Sequence, residues 1–122
     1  MKREIKFRAW DSDDKTMWYM EKLESDQLPN EVLSVFLDEY YGCDLMQYTG
    51  IKDKDGKEIY EGDIVSRPKY NLTYVVVFDE KNAGFELKRI PDKSALTFME
   101  LRAFEEKTEV IGNIYQNPEL LK

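Results

Sequence analysis

LMQYTGIKDKDGKEIYEGDIV, residues 45–65, places an Asp-Gly turn between two half-apolar runs and follows it almost at once with a Gly-Asp turn. Leu45 to Tyr48 reads as a short strand, and Thr49-Gly50 permits a bend. Lys54-Asp55-Gly56-Lys57 is a tight turn in which glycine takes the positive φ that other residues avoid. Glu58 to Tyr60 leaves that turn as another strand, and Gly62-Asp63 turns the chain into Ile64 to Arg67, where Pro68 ends regular pairing for want of an amide proton. This is β architecture written in turn chemistry.

Downstream, Tyr74 to Phe78, YVVVF, is the most β-prone run of the chain and is expected to be a central strand. Asp79 to Gly84 forms a hairpin loop with a return strand over Phe85 to Ile90. Between Pro91 and Lys107 the periodicity fits a short helix no better than an irregular strand. Val110 to Tyr115 closes the set, with Gly112 at a bulge or close contact and a short tail beginning at Asn117-Pro118.

Upstream, Glu4 to Trp10 alternates, with Ile5, Phe7 and Ala9 on one face and Lys6, Arg8 and Trp10 on the other. Asp11-Ser12-Asp13-Asp14 supplies a polar turn, and Met17 to Met20 returns, making residues 4–20 a hairpin. Pro29-Asn30 suits a helix start, and Leu33, Phe36, Leu37 and Tyr40 recur at helical spacing over Glu31 to Tyr41, with Gly42 able to close the helix. That mixed aromatic and aliphatic face is a candidate self-association surface. Strands at intervals of roughly ten residues, joined by short turns, predict a small bent sheet or barrel, with any internal boundary between Met20 and Leu45.

The composition bounds the function. A chain of 122 residues, 42% hydrophobic and 35% charged, holds one modest core. A net charge of −7 repels phosphate backbones and anionic membrane, so nucleic acid is disfavoured as a partner. No apolar run approaches a bilayer span, and MKREIKFRAW lacks a signal peptide's apolar core, so a cytoplasmic protein is expected. Histidine is absent, which removes the commonest general base, nucleophile partner and metal ligand. Cys43 is the single cysteine, more readily an idle thiol than a reactive one. No cofactor is expected, and an enzyme is the least favoured class.

Three motifs then carry a resemblance. KFRAWD at 6–11, LMQYTGIKDKDGKEIYEGDIV at 45–65 and EVIGNIYQNPELL at 109–121 resemble the YopX family of small proteins from bacteriophages and prophages. The resemblance covers roughly a third of the residues and brackets nearly the whole chain. It implies a mainly β fold whose main part, over 45–118, is an SH3-type barrel of short antiparallel strands, with an accessory segment that differs between members; with the helix read at 31–41, residues 21–44 are expected to be an accessory helical segment of a single domain over 1–122. It brings no activity, cofactor or catalytic residue.

Tempting sites have plainer readings. Setting Gly56 at the glycine of a calcium loop puts Ile51 and Gly62 at ligand positions, so Asp53-Lys54-Asp55-Gly56 reads as a hairpin turn. Glu58, Glu61 and Asp63 would need convergence, with Asp53, to hold Mg²⁺ or do carboxylate chemistry. Gly50, Gly56 and Gly62 recur every six residues without a phosphate-loop ending and are accounted for by turns. Asn71-Leu72-Thr73 matches a glycosylation pattern with no bearing on an intracellular chain. The best binding surface on sequence is basic and aromatic: Lys6, Arg8 and Trp10 on the first strand, extended by Trp18 and Tyr19. Its plain counterpart is a solvated strand face with a tryptophan covering the barrel end. The leading expectation is a non-catalytic module binding a host or phage protein. Behind it stand nucleic-acid binding or DNA mimicry, then a carboxylate-dependent enzyme.

Overall fold

The computed structural model describes residues 5–20, 38, 40–81, 83–90, 95–97 and 107–121. The chain divides into two compact units, Met1–Tyr48 and Thr49–Lys122. The fold is mainly β: two antiparallel sheets, one curled into a half-barrel. Among the described residues helix is nearly absent, the short 3-10 turns Pro68–Tyr70 and Pro118–Leu121 being the main examples. Of the predicted helix and its self-association face, Leu33, Phe36 and Leu37 lie outside the described residues.

In the first unit, β1 (Phe7–Asp11) and β2 (Thr16–Tyr19) form the expected hairpin, and β1 also pairs antiparallel with the start of β3 (Asp44–Lys52). The hairpin turn is set by Asp11, whose Oδ1 accepts from the amides of Asp13 and Asp14 at 3.0 and 3.2 Å. Ala9 lies opposite both Trp18 and Leu45, while Arg8 lies opposite Tyr19 and Met46. Directly paired residues project to the same face, so Trp18 shares a face with Ala9 and Tyr19 shares the other with Arg8. On the Ala9 face, Ala9 and Met20 are buried and packed by Phe7, Tyr40 and Cys43.

In the second unit, the strand order is β8-β7-β6-β5-β9, with β5 over Asp63–Arg67, β6 over Leu72–Asp79, β7 over Gly84–Ile90, β8 over Ala95–Thr97 and β9 over Glu109–Asn113. The β-rich run is indeed the middle strand. β4 (Glu58–Tyr60) neighbours β3. Ile51, Ile59, Val65, Tyr74, Val76 and Leu87 form the buried core.

The turns follow the residue chemistry closely. Gly56 has φ +83° and its amide donates to the Asp53 carbonyl at 3.0 Å, the positive-φ position of a three-residue hairpin loop. Thr49-Gly50 does not end a strand as the sequence suggested: β3 runs through it with Gly50 at φ +88°. Thr49 stitches that irregularity, its hydroxyl donating to the Ile59 carbonyl at 2.7 Å and accepting from the Ile51 amide at 3.2 Å. At the other end, Ile64 pairs with Gly112 and Val65 with Val110, leaving Ile111 as the extra residue of a bulge. Gly112 is also a close contact, since a Cβ there would stand 2.5 Å from Asn117 Oδ1.

Candidate functional site

Two carboxylates of residues 45–65, those of Asp53 and Asp63, hold turns. Asp53 is buried, and its Oδ1 accepts from the amides of Asp55 and Lys57, each at 2.9 Å, while Oδ2 accepts from the Val110 amide at 3.0 Å. Burial pushes the Asp53 carboxyl up, but the amides of Val110, Lys57 and Asp55, with the Lys57 ammonium, together hold it below the ordinary carboxylate value. Asp63 is buried and accepts from the Tyr60 amide at 2.7 Å, closing the turn through Glu61 and Gly62. Glu58 accepts a long hydrogen bond, 3.4 Å, from the Tyr60 hydroxyl. Among the described residues, no group of three or more acidic or cysteine side chains is arranged to hold a metal ion.

The basic, aromatic surface is rearranged by burial. Lys6 and Trp10 are each 9% exposed and Arg8 only 2%, so the strand face read as solvated is covered. Lys6 Nζ lies 5.2 Å from the centre of the Tyr48 ring, a cation–π contact inside the first unit. Trp18 and Tyr19 remain exposed, yet they project to opposite faces of the hairpin. The five residues therefore do not compose one surface. Alternation identified which side chains share a face of β1, but not that both faces of this strand are covered.

What the structure does assemble is a hollow of about 460 Å³ in the first unit, lined by Asp11, Ser12, Asp13, Trp18 and residues 40–43. Two turns build it. The first is the Asp11–Lys15 hairpin turn, which carries the acidic side. The second runs from Tyr40 to Cys43, with the Cys43 amide donating to the Tyr40 carbonyl at 3.1 Å and Gly42 at φ +88°, a conformation glycine adopts without steric cost. That geometry leaves Tyr41 at the turn's corner, 91% exposed. Tyr40 turns inward instead, and its ring stacks on Trp18 with centroids 5.5 Å apart and planes 25° from parallel.

Charge in the hollow is one-sided. Burial raises the Cys43 thiol's pKa, and the Asp11, Asp44, Asp13 and Asp14 carboxylates raise it further, so the group stays a neutral, weakly nucleophilic thiol near pH 7. Of the lining residues, Trp18, Tyr40, Gly42 and Cys43 stand out in the sequence for separate reasons. Asp11 and Asp13 passed as turn residues, because nothing local shows that DSDD meets YYGC.

Two antiparallel sheets, turns locked by buried carboxylates and, in the first unit, an aromatic hollow define a mainly β protein. The chain belongs to the YopX family, whose model, described as YopX protein, matches residues 6–122. It is similar to the crystal structure of protein EF1440 from Enterococcus faecalis, with 28% sequence identity and a TM-score of 0.65 over 99% of this chain and 100% of that one. No curated protein matches it.

Proposed function

We propose that this chain is a non-catalytic binding module of a phage or prophage, built on an SH3-type half-barrel, that engages a host or phage protein in the cytoplasm through the hollow between the Asp11–Lys15 and Tyr40–Cys43 turns. The observation that carries this reading is the pairing of exposed Tyr41 with the stacked Trp18 and Tyr40 around one recess. Aromatic side chains held by a turn and a strand offer large contact area at low entropic cost, as binding hot spots do. The buried, amide-bound Asp53 and Asp63 favour this reading over carboxylate chemistry, because their lone pairs are engaged in holding turns.

Affinity capture from host lysate, with and without nuclease, tests the proposal with wild type beside Tyr41→Ala. The expected result is a protein captured in both conditions by wild type and strongly reduced for the variant. Capture of nucleic acid alone overturns it. That second reading has one observation in its favour: in the second unit Arg67 and Lys69 lie 4.7 and 5.6 Å from the ring of exposed Tyr70, a basic and aromatic group of the sort single strands use.

A further inference from the structure

Three features of the hollow specify its occupant more narrowly than an aromatic recess alone. The first is the sign of its charge. Asp11 and Asp13 line it, Asp14 and Asp44 stand close enough to act on Cys43, and Lys15 is the one cation in the Asp11–Lys15 turn. The second is the chemistry of its wall, where Trp18 and Tyr40 present stacked π-systems and Tyr41 a third, solvent-facing ring. Ring faces carry negative charge density and attract cations, so wall and rim select the same sign. The third is size: about 460 Å³ takes a long side chain and a little flanking backbone and falls within the range of small-molecule sites.

We propose that the hollow lined by Asp11, Asp13, Trp18, Tyr40 and Tyr41 receives the guanidinium of an arginine on a basic segment of the partner protein. A planar guanidinium stacks on an indole or phenol ring while donating in its own plane to a carboxylate, whereas a lysine ammonium offers only a hydrated point charge. Asp13 is the better placed acceptor. Asp11 already commits Oδ1 to two amides of the turn, while Asp13 contributes its own amide to that turn and carries its carboxylate on an exposed residue. A partner segment rich in basic residues also complements the chain's net charge of −7 and is drawn in faster for it.

This inference rests on the reading of the chain as a protein-binding module, and its test separates the two. Isotope-labelled full-length protein is titrated with a glycine-flanked arginine peptide, the same peptide carrying lysine, and one carrying glutamate, while amide and indole resonances are followed by NMR. The expected result is saturable shifts confined to the Trp18 indole and to residues 11–13 and 40–43 with the arginine peptide, weaker shifts with lysine and none with glutamate. Tyr41→Ala and Asp13→Asn, both at exposed positions, each weaken arginine-peptide binding by about fivefold with the remaining spectrum unchanged. Equal binding of lysine and arginine peptides, shifts centred elsewhere, or unchanged affinity in both variants overturns the inference. If lysate capture still yields a Tyr41-dependent protein that the arginine peptide does not displace, the binding module stands and the arginine site falls. If no such protein is captured, the module itself falls.

Discussion

Asp53 shows how a residue that looks like a ligand becomes a structural keystone. Its two oxygens hold a hairpin turn and tie it to β9 through Val110. Replacing it with asparagine keeps the shape but gives up the charge and turns one acceptor into a donor facing an amide. Asp53→Asn is therefore expected to lower unfolding free energy by about 2–3 kcal/mol, read from denaturant midpoints at neutral pH. The pH dependence follows from the lowered folded-state pKa: the contribution is complete above the unfolded value of about 4 and drains as pH falls through the folded value. The gap between wild type and variant should thus be widest at pH 7 and narrow as the solution is acidified below about pH 4. A gap that is constant from pH 7 to pH 2.5 would contradict this account. Gly112 makes a different demand, for space. Gly112→Ala drives a methyl into the Asn117 side chain, whose Oδ1 accepts from the Asn113 amide at 3.1 Å, and should cost about 1–3 kcal/mol in thermal or chemical unfolding.

Elements carry the contrast between what was readable and what was not. Turn chemistry was read well because it is local: Gly56 and Gly62 have the positive φ their turns need, and Asn113 caps its own turn by accepting from the Tyr115 and Gln116 amides at 3.1 and 2.9 Å. Strand β6 sits mid-sheet as its β-branched run implied. Irregular strands were read less well. Thr49-Gly50 has the composition of a bend, but the threonine hydroxyl substitutes for backbone pairing and lets β3 continue. Thr49→Val keeps the branched shape and deletes both bonds, leaving buried partners at Ile59 and Ile51, so a loss of about 1–3 kcal/mol in chemical denaturation is expected. Burial of β1 was illegible for another reason. Periodicity divides a strand into two faces and is silent on whether one or both are covered, so Lys6, Arg8 and Trp10 looked available until the structure covered them. Tyr40, read in the sequence as part of a helical face, stacks on Trp18.

At the scale of the whole molecule, the acidic composition sets colloidal behaviour. With a sequence pI near 4.7, solubility should pass through a minimum close to that pH and recover on either side, a trend that turbidity across a pH series measures directly. The family and the β class were both legible in spaced motifs and turn chemistry. The candidate recess was not, because its two halves lie about thirty residues apart in the chain and meet only through the register of β1 with β2 and β3.

The hydrogen bond from Val110 to Asp53 spans 57 positions, and a link of that separation closes only after much of the chain has been organised. Its bearing is therefore kinetic as well as energetic. Stopped-flow measurements on Asp53→Asn should show the unfolding limb of the chevron rising while the folding limb moves little, giving a low φ-value for this carboxylate. In that case the side chain acts as a latch fastened after the barrier is crossed, and it governs how long a folded molecule persists more than how quickly one forms.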